Sequence, residues 1–284
     1  MAKRDPFETL MSLYEGDMGV FAVKALGPSS IPRLRDLLFS RDRSGIFQPR
    51  CRVVEALSIL GATDVLRTFL ADPPLHSNPV EHAGDVAVIN AAARALPINP
   101  DDDIDFDLLL GLVQTEALAG PIEQLGRFRR PEILSLLIDA LGDDIARPAA
   151  GKALMDFGID AVPALIASMP ILGNARAAST PTARRRTLAG LTVIHKMIPK
   201  ITKPEIAFEY LHLLHLLESR DLEVKAKVGV IILDAEMIFF NVMVGGIPAK
   251  EYAIKMLADL IPKLPWRKQI EIKSISSNNI KIYN

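Results

Sequence analysis

Hydrophobic positions in this chain recur at helical spacing almost from end to end, and residues 131–169 show the pattern most regularly. There Ile133, Leu136, Leu137, Ala140 and Leu141 fall on one stripe of a helix. Pro131 suits a first helical turn, where its missing N–H costs nothing. Gly142-Asp143-Asp144 ends that helix, and an Asp caps the next. The second helix carries Arg147, Ala150, Ala153, Leu154 and Gly158 at relative positions 0, 3, 6, 7 and 11. Its small residues let a neighbouring helix approach, and Gly158 supplies the dihedral freedom of a tight exit.

Much of the chain repeats this unit. Aligned on the exit turn, Gly27, Gly61, Gly126 and Gly158 coincide, and Pro97 sits near the place of a missing glycine. Arg50, Val53, Ala56, Leu57 and Gly61 reproduce the template spacing. The residues after each turn also agree: Ile31-Pro32-Arg33-Leu34, Val65-Leu66, Ile133-Leu134 and Val162-Pro163-Ala164-Leu165. The pattern predicts paired helices at 6–15 and 19–26, 31–40 and 48–60, 64–71 and 85–96, and 104–113 and 116–125. Further pairs are predicted at 131–141 and 147–157, 161–169 and 182–197, and 204–218 and 222–244, with 248–264 closing the series. Three connections are longer than such pairs need: 72–84, 96–107 and 170–181. Long insertions in a repeat array map to one face, often the binding face.

This pattern resembles the HEAT-repeat family, in particular the short bacterial type related to bilin-lyase repeats, over residues 16–169. The resemblance implies an all-α fold, a right-handed α-α superhelix (an armadillo-like solenoid) of about seven helical hairpins spanning residues 1–265. In that family the turn Asp and the following Arg form a ladder between neighbouring repeats. Here the ladder residues are Asp42 with Arg50, and Asp143 or Asp144 with Arg147. The third unit has Ile89 in place of the Arg and the fourth has Thr115, so the ladder is discontinuous.

Composition adds limits. Of 284 residues, 49% are hydrophobic but only 6% aromatic, which suits helices packed through small and aliphatic side chains. A single cysteine, Cys51, excludes an internal disulfide framework and a cysteine-rich zinc site, and fits a reducing compartment. The N-terminus MAKRDPFETL lacks the apolar core of a signal peptide. The longest apolar run, 228–244, is interrupted by Asp234, Glu236 and Asn241, and a membrane span needs roughly 20 apolar residues. A soluble, cytoplasmic protein with no membrane partner is expected. Residues 267–284 are rich in Ile, Lys, Asn and Ser, and 269–274 alternate as a strand does; a flexible or loosely docked tail is expected over 266–284.

Net charge is −1, unevenly spread. Residues 1–170 hold 24 acids and 16 bases, while 171–284 hold 10 acids and 17 bases. The basic second half suggests an acidic partner.

Candidate chemistry is sparse. The run Asp101, Asp102, Asp103, Asp105, Asp107 lacks the Gly and Glu that a calcium loop requires, since Phe106 and Leu112 stand there. Helix capping explains those acids better. His212 and His215 share a helix face, but no third ligand is placed to complete a zinc site. HEAT-type iron hydroxylases carry His-Glu dipeptides, and this chain has only the reversed Glu81-His82. No phosphate loop or nucleophile elbow appears, and Cys51 reads as a packed thiol. Neither a cofactor nor a metal is expected, and no catalytic residue is assigned.

The basic clusters are the best binding candidates: Arg127, Arg129 and Arg130 in one turn, then Arg176, Arg184, Arg185 and Arg186, with Lys196, Lys200 and Lys203 beyond. If second helices line a concave face, Arg50, Asp85, Arg94, Glu116, Arg147, Lys152 and Arg184–Arg186 are contact candidates. A non-catalytic scaffold that binds another protein follows, such as a bacterial adaptor, an assembly factor or an immunity protein that blocks a toxin. The first alternative is a nucleic-acid-binding solenoid related to DNA-repair glycosylases. The second is a lyase-type enzyme on the same scaffold, which requires a deep pocket with convergent acids or histidines.

Overall fold

The computed structural model describes residues 5–12, 16–40, 48–116, 118–172, 180–202 and 204–276. These are helical almost throughout, as the hydrophobic spacing requires. The chain divides into two compact units, Met1–Arg129 and Arg130–Asn284.

In the first unit, α1 (Pro6–Leu10) packs on α2 (Gly16–Leu26), and α3 (Ile31–Phe39) on α4 (Arg50–Ile59). Likewise α5 (Thr63–Ala71) packs on α6 (Pro79–Ala95), and α7 (Asp103–Thr115) on α8 (Ala119–Phe128). Successive contacts join α2, α4, α6 and α8 into one layer and α3, α5 and α7 into another. Between the layers Leu34, Leu57, Leu66, Phe69, Val88 and Leu109 are fully buried. Each such side chain contributes about 1.5–3 kcal/mol relative to exposure.

The exit turns explain the glycine repeat, with one exception. Gly27 and Gly61 have φ of +68° and +71°, a region that side chains resist. Gly126, aligned with them by sequence, instead lies buried inside α8. The left-handed residue of that turn is Arg129, at φ +54°. A second correction concerns the 72–84 connection. Pro79 is the first residue of α6, and the Asn78 side chain caps it by accepting from the N–H groups of Val80 and Glu81. The third proline therefore starts a helix.

In the second unit a 3₁₀ turn at Pro131–Ile133 leads into α9 (Leu134–Ala140), followed by α10 (Arg147–Phe157). Another 3₁₀ turn, Ile159–Ala161, leads into α11 (Val162–Ala167), and α12 (Pro181–Met197) follows. Helix α13 (Pro204–Glu209) continues as 3₁₀ turns through Tyr210–Glu218 and precedes α14 (Leu222–Asp234). Here α10, α12, α14 and α16 (Ala249–Leu260) contact in succession, with α9, α11 and α13 behind them.

One sequence expectation fails in this unit. The helix foreseen over 222–244 ends at Asp234, where Ala235 adopts φ −97° and ψ 35°. A short helix α15 (Glu236–Phe239) and a hairpin of β1 (Met243–Val244) with β2 (Ile247–Pro248) follow, pairing Met243 with Pro248. Gly245 and Gly246, at φ +58° and +83°, form its two-residue turn. Residues 269–274, which alternate as a strand would, belong instead to α17 (Trp266–Ser276). That helix packs on α14 and buries Ile272. Residues 277–284 lie outside the described residues.

Helices α6 and α8 approach backbone to backbone. A Cβ added at Gly120 would stand 2.4 Å from the Asn90 carbonyl oxygen and 2.6 Å from its Cα. The Asn90 side chain accepts from the Gly120 N–H at 2.7 Å, locking the two helices at that distance. Gly120→Ala is expected to cost about 3 kcal/mol, because backbone cannot yield as a side-chain tip can. Gly111, inside α7, meets nothing within 4 Å. Gly111→Ala is expected to stabilise by about 0.5–1 kcal/mol through helix propensity. Urea midpoints of the two variants, read against the parent, check both signs.

Candidate functional site

Charged side chains in both units are spent first on joining one hairpin to the next. Arg50, on α4, is buried with its partner Asp85 on α6, each side chain 1% exposed and Nη2 2.5 Å from Oδ1. Arg50 also donates to Gln48 Oε1 at 2.8 Å and to the Ser40 carbonyl at 3.2 Å. The second Asp85 oxygen accepts from the His76 backbone N–H at 2.7 Å and faces His76 Nδ1 at 2.9 Å. Burial alone would push the Asp85 carboxyl up; the hydrogen bonds from Arg50 and His76 outweigh it and hold the group below its ordinary value. Burial removes both Arg50 and Asp85 from any contact surface. The ladder partner expected for Arg50, Asp42, lies outside the described residues.

Similar reaches recur. Arg67 on α5 grips the buried Asp105 of α7 with two bonds, at 2.7 and 2.8 Å. Arg94 on α6 holds Glu123 on α8 at 2.9 and 3.1 Å. Arg147 pairs with Asp144 in its own turn and donates to the Leu141 carbonyl at 3.1 Å. Asp143 caps instead, accepting from the Ile145 and Ala146 N–H groups. Asp102 caps α7 in the same way, which accounts for part of the acidic run.

The triple arginine of α12 is built into the same scheme. Arg184 bridges to Asp221 at 2.5 Å and to Glu223 at 2.7 Å, both at the start of α14. Glu223 also takes Lys268 of α17 at 2.9 Å, and Glu271 joins Lys268 to Lys227. Arg185 donates to the Gly142 carbonyl at 3.1 Å and lies 3.6 Å from Asp144. Arg186 reaches Asp139 of α9 at 2.6 Å. The geometry therefore ties all three to neighbouring hairpins. Arg127 is exposed and donates to Gln124, Arg129 is exposed in its left-handed turn, and Arg130 is half-buried. Glu116 is exposed beside His82. Arg176 and Lys203 lie outside the described residues.

Lys152 is exposed on α10. It lines an open groove of about 390 Å³ between α10 and α12, together with Arg147 and Lys196. Leu141, Met155 and Val193 supply an apolar floor. None of the described residues lining it is a carboxylate. Gly151 keeps the floor low, since a Cβ there would only just touch Val193, at 3.8 Å. Such a groove attracts anionic groups while offering apolar burial beside them. The sequence places Lys196 with the basic cluster of 184–186, whereas the structure brings it beside Arg147 and Lys152. The signal for that placement was present: Ala189, Thr192, Val193 and Lys196 fall at helical spacing along one face of α12.

Replacing Arg50 tests the burial argument. Arg50→Met strands the Asp85 carboxylate and is expected to cost about 3–5 kcal/mol at neutral pH. Because the folded Asp85 titrates below its unfolded value of about 3.9, its contribution is complete above that value and is lost as pH falls through the lower folded one. The gap between parent and Arg50→Met should therefore narrow below about pH 4, as protonation relieves the stranded charge. Arg50→Met/Asp85→Leu should recover most of the loss. Denaturant unfolding at stepped pH measures all three.

No family model, curated protein or solved structure matches this chain.

Proposed function

We propose that this chain is a non-catalytic protein-binding scaffold of the HEAT type, whose hairpins follow a right-handed α-α superhelical order within each unit. The successive second-helix layer supports this reading in both units: α2, α4, α6 and α8, then α10, α12, α14 and α16. The observation that carries the binding function is the α10–α12 groove, with two lysines beside the paired Arg147, an apolar floor and no lining carboxylate. An acidic, amphipathic segment of a partner protein complements it best. Its place between two second helices fits the face on which such scaffolds bind.

A nucleic-acid ligand fits less well. Phosphate contact requires basic side chains free to meet a backbone. Arg184, Arg185 and Arg186 are held by carboxylates or carbonyls, and the groove floor offers methyl groups where a phosphate needs donors. A reducing, cytoplasmic setting suits the single Cys51, whose thiol burial pushes up. Among the described residues no helix is long and apolar enough to cross a membrane.

Fluorescence anisotropy tests this with two labelled ligands, an acidic amphipathic peptide and a short DNA duplex. The parent should prefer the peptide, and Lys152→Glu/Lys196→Glu should weaken it about tenfold or more while leaving the thermal midpoint unchanged. Preference for the duplex, or peptide binding that ignores the double variant, would refute the assignment.

A further inference from the structure

The second unit carries another groove, of opposite chemistry. It measures about 470 Å³ and lies where the end of α12 and the start of α13 meet the break between α14 and α15. Ile198, Ile201, Ala207, Met237 and Ile238 give it apolar walls. The charged residues that line it are both carboxylates, Asp234 and Glu236.

Exposed apolar side chains cluster beside this groove in sequence. Met237 is 89% exposed, Phe240 72% and Met243 60%, all within seven residues of sequence. Phe208, next to the lining Ala207, is 68% exposed. The backbone produces that exposure. Residues 228–233 of α14 are buried on almost every side, and an unbroken helix would carry the next turn into the same core. The break at Ala235 redirects the chain, so Phe239 alone of this segment turns inward, to 2% exposure. The following hairpin, with its paired glycines, anchors the far end of the segment. Large exposed apolar patches on a folded unit mark interaction sites, and methionine suits them because its flexible side chain moulds to different partners.

Charge decides the partner. Asp234 is held by His195 at 2.5 Å, and Glu236 by Lys250 at 2.6 Å. The Glu236 pair is about half exposed on both sides. An exposed pair of that kind is worth only about 0–1 kcal/mol, so an incoming cation exchanges with Lys250 at little cost. We propose that this groove docks a cationic amphipathic helix of a partner protein, whose apolar anchors at i, i+4 and i+7 enter the cavity beside Met237 while its Lys or Arg residues meet Glu236. The site is independent of the basic groove: it uses other residues and selects the opposite charge.

Calorimetric titration of the full chain tests it with two synthetic helical peptides of about 16 residues. Both carry the same leucine anchors; one has lysines on its polar face and the other glutamates. In the Lys152→Glu/Lys196→Glu background, which disables the basic groove, the lysine peptide should bind about tenfold or more tightly than the glutamate peptide. Met237→Ser, on a side chain the fold leaves in solvent, should weaken it about tenfold without moving the thermal midpoint. Glu236→Lys should reverse the preference between the two. Lys152→Glu/Lys196→Glu should not weaken lysine-peptide binding at this site, which separates this proposal from the reading of the basic groove. In that background, equal binding of both peptides, binding of neither, or indifference to Met237→Ser would overturn it. A concentration-dependent dimer abolished by Met237→Ser would also overturn it, by showing a second copy to be the occupant.

Discussion

The interaction on which this architecture depends is the reach of a cation from one hairpin to a carboxylate of the next. Arg50 to Asp85, Arg67 to Asp105, Arg94 to Glu123 and Arg184 to Asp221 and Glu223 all have this form. Small and aliphatic side chains hold helices side by side, but such packing tolerates sliding. A guanidinium clamped between two oxygens does not, because a one-turn shift would leave a buried charge without a partner. These pairs therefore set the register that the apolar layers alone leave loose. They also decide what remains for function, since an arginine spent on a neighbour is not available to a ligand.

How far the sequence was legible follows from the range of each interaction. Helix positions depend on spacing within a dozen residues, and most were readable to within a few positions. The exit glycines at 27, 61 and 158 were readable for the same reason: positive φ is a local demand. Gly126 misled because alignment assumes that equivalent turns use equivalent residues, whereas Arg129 bears the strained conformation there. The break at Ala235 was hidden because Asp-Ala-Glu contains no helix breaker; the surrounding packing imposes it. The triple arginine was the least legible feature. Its partners Asp139, Asp221 and Glu223 stand 37 to 47 residues away along the chain, so charge counting could see a basic cluster but not its neutralisation.

The two grooves have different origins. Lys152 and Lys196 face solvent along α10 and α12, in the half of the chain where bases outnumber acids. Met237 and Phe240 face solvent because the chain leaves the α14 direction just before them. One surface is thus made by surplus charge on regular helices, the other by an interruption of regularity. Both sit in the second unit, so the ion-pair scaffold of that unit positions each of them separately.

The buried Arg50–Asp85 pair has a consequence for how such a chain can change its length over evolutionary time. Repeat arrays commonly grow and shrink by gaining or losing whole hairpins, because each contacts only its neighbours. Here the α3–α4 hairpin keeps a charge whose counter-charge belongs to α6. Excision of the α5–α6 hairpin would leave the Arg50 guanidinium in the interior without its counter-charge. A duplicated hairpin would carry the same unmet demand to its new neighbour. The α3–α4 and α5–α6 hairpins are therefore coupled, and exchanging one without the other strands a charge.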